Sequence, residues 1–387
     1  MLDTIVLTLD QPQFDVLAPD RFSPSAKGLL VPPYYPLGAR GNFACIQNPT
    51  KGDLNAGRYL PRLTLSKRKG PNGFALSLRV EFSAPKLIFG NNFDELQSCD
   101  FPKVLTALRE ALGLMGIRVS HNVLRTARVS AIHYSKNLAF TDFTTCLMVM
   151  SELDLIDLTK RLDLSQTDYR NEGHAVRYHA SSYEVTFYDK IKDLEKARYS
   201  EKRGIERDYG AQIEMFRDSA AFPRQLEVLR MEARLGKRPK IKSVLNAVGV
   251  HAELTFEALL DAGLAKAVLM QFWAEIKRQL PLIDPAVASR PEDLLASLAS
   301  AGRGAARIGK LLQQLGCVLL ARSVGIRGAG AALSRHCSAR SWQRYKRELK
   351  ALPLSSGQGF SALRRVDEEL SKFKPLRLKA FHMAVPQ

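Results

Sequence analysis

Tyrosine 188 and lysine 190 stand two residues apart in Val176-Arg-Tyr-His-Ala-Ser-Ser-Tyr-Glu-Val-Thr-Phe-Tyr-Asp-Lys190, a stretch that reads as strand. Side chains at i and i+2 share one face of a strand. If that face opens on a groove, the Tyr188 hydroxyl can attack a phosphodiester while Lys190 offsets the phosphate charge. Tyrosine titrates near pH 10, so a nearby cation is needed to favour the phenolate at neutral pH. Tyr and Phe are also common in strands that do no chemistry, so Tyr-x-Lys alone identifies nothing.

Two further segments, Leu78–Ser83 and Val228–Leu235, alternate apolar and polar positions, and each carries a mid-strand glutamate, Glu81 and Glu232. His133 lies in a third apolar strand within Arg128–Asn137. Two carboxylates and an imidazole beside a tyrosine suit a divalent cation, Mg²⁺ or Mn²⁺, that polarises a scissile phosphate. Each strand by itself also reads as an ordinary charged sheet surface or a structural histidine.

The order Val80–Asn92, Val129–Asn137, Phe187–Asp193 and Leu229–Leu235 resembles the rolling-circle replication initiators of filamentous phages and related plasmids, over roughly residues 1–240, with a weaker echo near 320–350. The resemblance implies a site-specific single-strand DNA endonuclease and strand transferase. It would initiate and terminate rolling-circle replication through a 5′-phosphotyrosine intermediate. Residue by residue it places the nucleophile at Tyr188, with Lys190 beside it and Tyr178 as the rival. It places the metal on Glu81, Glu232 and His133, the histidine standing where relatives have a carboxylate. Lys86, Asn91 and Asn92, which follow Glu81, and Arg230 and Arg234, which flank Glu232, are expected DNA contacts. The implied partners are origin DNA, single-stranded and duplex, with a host helicase and replication polymerase, in the cytoplasm of a bacterial host. The alternative is a catalytically inactive origin-binding replication or regulatory protein.

Composition agrees with an anionic partner: the formal net charge is +18 over 387 residues. No membrane is expected, since no apolar run approaches a span of about 18–20 residues and the N-terminus reads as a strand with acidic flanks. The five cysteines form no Cys-x-x-Cys pair, which favours reduced thiols over a zinc ribbon. No Gly-x-x-x-x-Gly-Lys-Ser/Thr loop is present, consistent with unwinding by a partner.

These elements imply an α+β fold, a mainly antiparallel central sheet with flanking helices, followed by an all-α C-terminal domain. The expected divisions are a nicking and joining domain at 1–240, a helical DNA-binding domain at 241–355 and a basic tail at 356–387. Val31–Gly38 should be loop, Arg58–Ser66 and Gly73–Ser83 a hairpin about the basic turn Lys67–Asn72, and Asp100–Leu112 and 142–153 helices. The mixed charges of Asp193–Asp208 suggest an exposed helix or insertion. Residues 301–350 hold 11 Lys/Arg against one acid, Glu348. Within them, Ser323–Leu349 reads as two helices, the second capped by Ser341 and presenting Arg340, Arg344, Lys346 and Arg347 to phosphates or bases.

Overall fold

In Gly73–Ser83, Leu76, Leu78, Val80 and Phe82 are buried while Ser77, Arg79 and Glu81 alternate with them, the period-two signature of a strand with one face on a core. The computed structural model describes residues 1–29, 42–50, 52–53, 56–70, 73–156, 167–170, 174–193, 227–278, 290–301, 308–351 and 361–377. Its strands are β1 (Leu2–Asp10), β2 (Asp15–Val16), β3 (Phe43–Gln47), β4 (Arg62–Gly70), β5 (Gly73–Ser83), β6 (Ile117–Arg118), β7 (Arg128–Phe140), β8 (Thr167–Arg170), β9 (Ala175–His179), β10 (Tyr183–Asp189) and β11 (Glu227–Leu235). Nine of them form one antiparallel sheet in the order β3-β4-β5-β1-β7-β11-β10-β9-β8, and β2 pairs with β6.

Register carries the alternation across the sheet. Ile5 pairs with Phe82 and Ile132, and Leu7 with Val80, while Met231 sits opposite Phe187, and Phe187 opposite Val176. All are buried on one face. The other face receives Glu81, His133, Ser135, Glu184, Thr186, Tyr188, Arg230, Glu232 and Arg234, because a residue's neighbours in sequence point the opposite way.

Helices flank the sheet, several of them covering its apolar face. They are α1 (Ala84–Phe89), α2 (Phe101–Leu114), α3 (His121–Arg125), α4 (Cys146–Asp154), α5 (Arg238–Ala247), α6 (Phe256–Leu259), α7 (Ala262–Lys277), α8 (Pro291–Ala301), α9 (Ile308–Ser334), α10 (Ala339–Lys350) and α11 (Ala362–Lys372). Phe256 packs edge-on against Phe82 at 5.8 Å and Phe101 at 5.2 Å, and Trp273 of α7 lies 6.3 Å from Phe187. Glu152 at the end of α4 accepts from the Ala362 and Leu363 amides and the Ser361 hydroxyl. A carboxylate thus caps α11 through groups that would otherwise lack partners.

The α+β class stands, with its antiparallel sheet, flanking helices and helical C-terminal region. The boundary at 240 does not. Helices α5, α7 and α11 pack on β7 or β11, and a single apolar core joins the sheet to residues as late as Phe373. Residues 362–372 are accordingly a helix that buries Leu363, Val366 and Leu370, not tail; 378–387 lie outside the described residues. The basic turn also differs. Strand β4 runs to Gly70, which draws Lys67 into the sheet, where it is buried with its ammonium 4.6 Å from the Phe74 ring centre. Val31–Gly38 and Leu194–Asp208 lie outside the described residues.

Helix α9 is long and apolar enough, by length and composition, to cross a membrane, which the sequence reading did not anticipate. It is broken at Gly325, whose φ of 77° only glycine adopts readily. There the Ile326 amide donates to the Leu155 carbonyl at 2.9 Å. A Cβ at Gly325 would stand 3.1 Å from Leu155 Cα. Helix α10 is capped by Ser338, whose hydroxyl accepts from the Ser341 amide, and not by Ser341 itself.

Candidate functional site

Three adjacent strands bring the polar residues of the middle of the sheet together. Register sets Tyr188 opposite Arg230, Thr186 opposite Glu232, Glu232 opposite Ser135 and Arg234 opposite His133. Glu232 is the hub. Its Oε1 faces His133 Nδ1 at 3.3 Å, its Oε2 receives Arg234 Nη2 at 3.0 Å, and the Tyr188 hydroxyl points to Oε2 at 3.5 Å, the outer limit of a hydrogen bond. Arg234 also binds Glu184 at 3.0 Å, and Arg177 reaches the same oxygen at 3.2 Å. The charges alternate, so the cluster holds together in place of repelling.

Electrostatics follow from that arrangement. Burial acts to raise the Glu232 carboxyl, but Arg234, the hydrogen bond and charge of His133, and Arg230 outweigh it and hold the group well below the usual carboxylate range. Tyr188 is half-buried. Desolvation pushes its phenol well above the ordinary value; Arg230 opposes this, and Glu232, Asp193 and Asp3 add to it. In the resting arrangement Tyr188 is therefore a neutral phenol beside an ionised carboxylate.

Beneath this group Arg230 is fully enclosed. Its guanidinium binds Asp3 at 3.1 Å, Ser135 Oγ at 2.9 Å, Asn137 Oδ1 at 3.3 Å and the Asn92 carbonyl at 2.7 Å. This explains the asparagines. Strand β1 begins beside Ser135, and past its start the turn Asn91–Glu95 fills the vacated side of β7: Glu95 accepts from the Asn137 amide at 2.6 Å and Lys136 Nζ at 2.6 Å, and the Phe93 carbonyl accepts from Asn137 Nδ2 at 2.9 Å. Asn91 shapes the turn by accepting from the amides of Phe93 and Asp94. Asn91, Asn92 and Arg230 are structural groups of the floor, a correction to their expected role as DNA contacts.

Other expectations change in the same way. Strand β10 stops at Asp189, so Lys190 opens a helical turn; its buried ammonium sits 6.0 Å from the Tyr188 ring centre and 5.4 Å from that of Phe93. Tyr178 is on the apolar face, buried, donating its hydroxyl to the Leu153 carbonyl and packing edge-on against Phe187. It is therefore withdrawn as a rival nucleophile. Glu81 shares the polar face but lies on β5, with β1 and β7 between it and β11, and it pairs with Arg79 at 3.0 Å. At about 4.8 Å per strand the two glutamates cannot hold one ion. The reduced pair Glu232 and His133 offers no prepared cation site either, since both Glu232 oxygens face partners and a hard cation asks for six or more oxygens, water included. Lys86 lies beyond the cluster, its ammonium 5.8 Å from the Tyr59 ring centre.

The basic helix divides by face. Arg340, Arg344 and Arg347 are exposed at i, i+4 and i+7, whereas Lys346 is buried with Trp342 and leaves the expected phosphate surface.

Sequence reasoning missed Asp3, Glu184, Ser135 and the Glu95–Lys136 pair. Glu184 sits at a polar position of an alternating strand, a signal that was readable, whereas Asp3 shares the parity of the buried Ile5, Leu7 and Leu9 and precedes a register irregularity of β1, and Glu95 lies in a turn with no periodicity. The chain was compared with protein-family models, curated proteins and solved structures, and none of them matches it.

Proposed function

We propose that the polar face of the sheet is a DNA nicking and joining site of the rolling-circle type, with Tyr188 as nucleophile. The observation that supports it is the Tyr188 hydroxyl at 3.5 Å from an ionised, buried Glu232. In this reading the phenol oxygen attacks phosphorus and its proton passes to Glu232. The new Tyr–O–P bond replaces the P–O3′ bond, and the leaving 3′ oxygen takes up a proton. The phosphotyrosine retains the energy of the broken ester, so rejoining is the same step reversed and needs no nucleotide. In this reading Arg234, half-buried beside Glu232, offsets the phosphate charge. Catalytic hydrogen bonds in a free enzyme are often long and tighten on substrate. Because the expected ligand set does not converge, no step is assigned to Mg²⁺ or Mn²⁺. A cation that takes part must displace Arg234 from Glu232 or arrive with the DNA. Arg340, Arg344 and Arg347 would hold duplex origin DNA by its phosphates.

The test is adduct formation on a random-sequence library of single-stranded oligonucleotides, with and without chelator, and sequencing of the DNA left on the protein. A covalent adduct at a defined sequence, lost in Tyr188→Phe, supports the reading. No adduct on any sequence, together with selective duplex binding, would establish the silent origin-binding protein in its place.

A further inference from the structure

A second cluster of reactive groups lies on the opposite, helix-covered face of the same strands. Asp189 ends β10, Glu227 begins β11, and Cys146 is the first residue of α4. The Cys146 sulfur and one carboxylate oxygen from each acid lie within 4.8 Å of one another, with Cys146 and Asp189 buried. His174, just before β9, turns Nδ1 to within 3.5 Å of Asp189 Oδ2, and that nitrogen is buried without a hydrogen-bond partner. Asp189 Oδ1 is already held by the Ile191 and Lys192 amides at 3.0 Å, and Glu227 Oε2 by the Cys146 amide at 2.9 Å. Among the described residues no lysine or arginine forms an ion pair with either acid.

Two carboxylates and a thiol meet here with no lysine or arginine paired to either acid, and the His174 imidazole, 3.5 Å from Asp189, stands next to the three as a further nitrogen donor. We propose that Cys146, Asp189, Glu227 and His174 form a structural site for a zinc-class divalent cation. The chemistry selects the ion. Thiolate with imidazole and carboxylate is a borderline-soft set suited to Zn²⁺, whereas Mg²⁺ and Ca²⁺ prefer oxygen throughout. On binding, the Cys146 thiol loses its proton to solvent and the sulfur becomes the ligand. The ion ties the starts of α4, β9 and β11 to the end of β10 at one end of these strands, on the face away from Tyr188. The site is independent of the nicking reading.

Titration of full-length, chelator-treated protein with Co²⁺ tests it. The expected result is one equivalent bound, a near-ultraviolet thiolate-to-cobalt charge-transfer band, displacement by Zn²⁺ but not Mg²⁺, and a rise in melting temperature with Zn²⁺. Cys146→Ser should abolish the band, and Glu227→Gln should weaken Co²⁺ binding by at least about 10-fold. Cys317→Ser should change neither. Should Cys146→Ser fail to fold, the Glu227→Gln titration and the Zn²⁺-dependent melting of the wild type decide. A wild type that shows no such band, a band that persists in Cys146→Ser or vanishes only in Cys317→Ser, or Co²⁺ affinity unchanged in Glu227→Gln overturns the proposal.

Discussion

The Tyr188 hydroxyl and the Glu232 carboxylate belong to one hydrogen-bonded group, yet their substitutions should behave differently. Tyr188→Phe removes a hydroxyl whose bond to Glu232 is long, at 3.5 Å, so the melting temperature should stay near wild type while adduct formation disappears. Glu232→Gln should lose nicking and also destabilise the fold, by roughly 1–3 kcal/mol, since Arg234 and His133 lose a buried charged acceptor. The pH dependence has a definite sign. The folded Glu232 carboxyl titrates below its unfolded value, so its stabilisation is present above about pH 4.3 and is lost as pH falls from there toward the folded value. Acid melting curves should therefore show a wild-type advantage above that pH which narrows below it when compared with Glu232→Gln. An advantage that grows on acidification would contradict the assignment. Tyr178→Phe should cost about 1 kcal/mol through the lost bond to Leu153 and leave adduct formation intact.

At the scale of single elements, α10 and α9 carry different burdens. The exposed stripe Arg340, Arg344 and Arg347 touches solvent along one side of α10, while Trp342, Lys346 and Leu349 hold the other side to the protein. Replacing the three arginines by alanine should leave stability nearly unchanged and flatten the log–log salt dependence of duplex binding by roughly 2–3 units, about 0.9 per lost phosphate contact. An unchanged slope in a filter-binding or anisotropy titration would remove α10 from the DNA surface. Gly325→Ala acts on the fold instead: a side chain at φ 77° is strained and crowds Leu155, so a loss of roughly 1–3 kcal/mol is expected in denaturant melts.

For the whole molecule, the packing of α5, α7 and α11 on the sheet makes the C-terminal third part of the core. Residues 1–240 alone would expose the apolar face of β7, β10 and β11, and Trp273, Ile276, Leu363 and Val366 would be missing from its cover. Such a fragment should show no cooperative thermal transition by circular dichroism and should aggregate. A soluble fragment that melts cooperatively would restore the boundary at 240.

Period and charge within single segments were legible without a structure. The alternation in Leu78–Ser83 and Val228–Leu235 specified strands and the faces of Glu81 and Glu232, the proline-led apolar pattern from Phe101 specified α2, and the excess of 11 basic residues over one acid marked 301–350. What no local pattern contains is strand order and register. Glu81 and Glu232 are chemically alike in sequence and read as partners, but β1 and β7 separate them. Tyr178 and Tyr188 differ by ten positions, and pairing across β9 and β10 sets one on the core face and the other on the polar face. Lys346 reads like Arg344 and Arg347, but the turn of the helix buries it. The Cys146–Asp189–Glu227–His174 group is the extreme case: its members come from α4, the end of β10, the start of β11 and the turn before β9. They come together because antiparallel pairing returns distant segments to the same end of neighbouring strands, a long-range consequence of burying one apolar face that residue spacing along the chain does not encode.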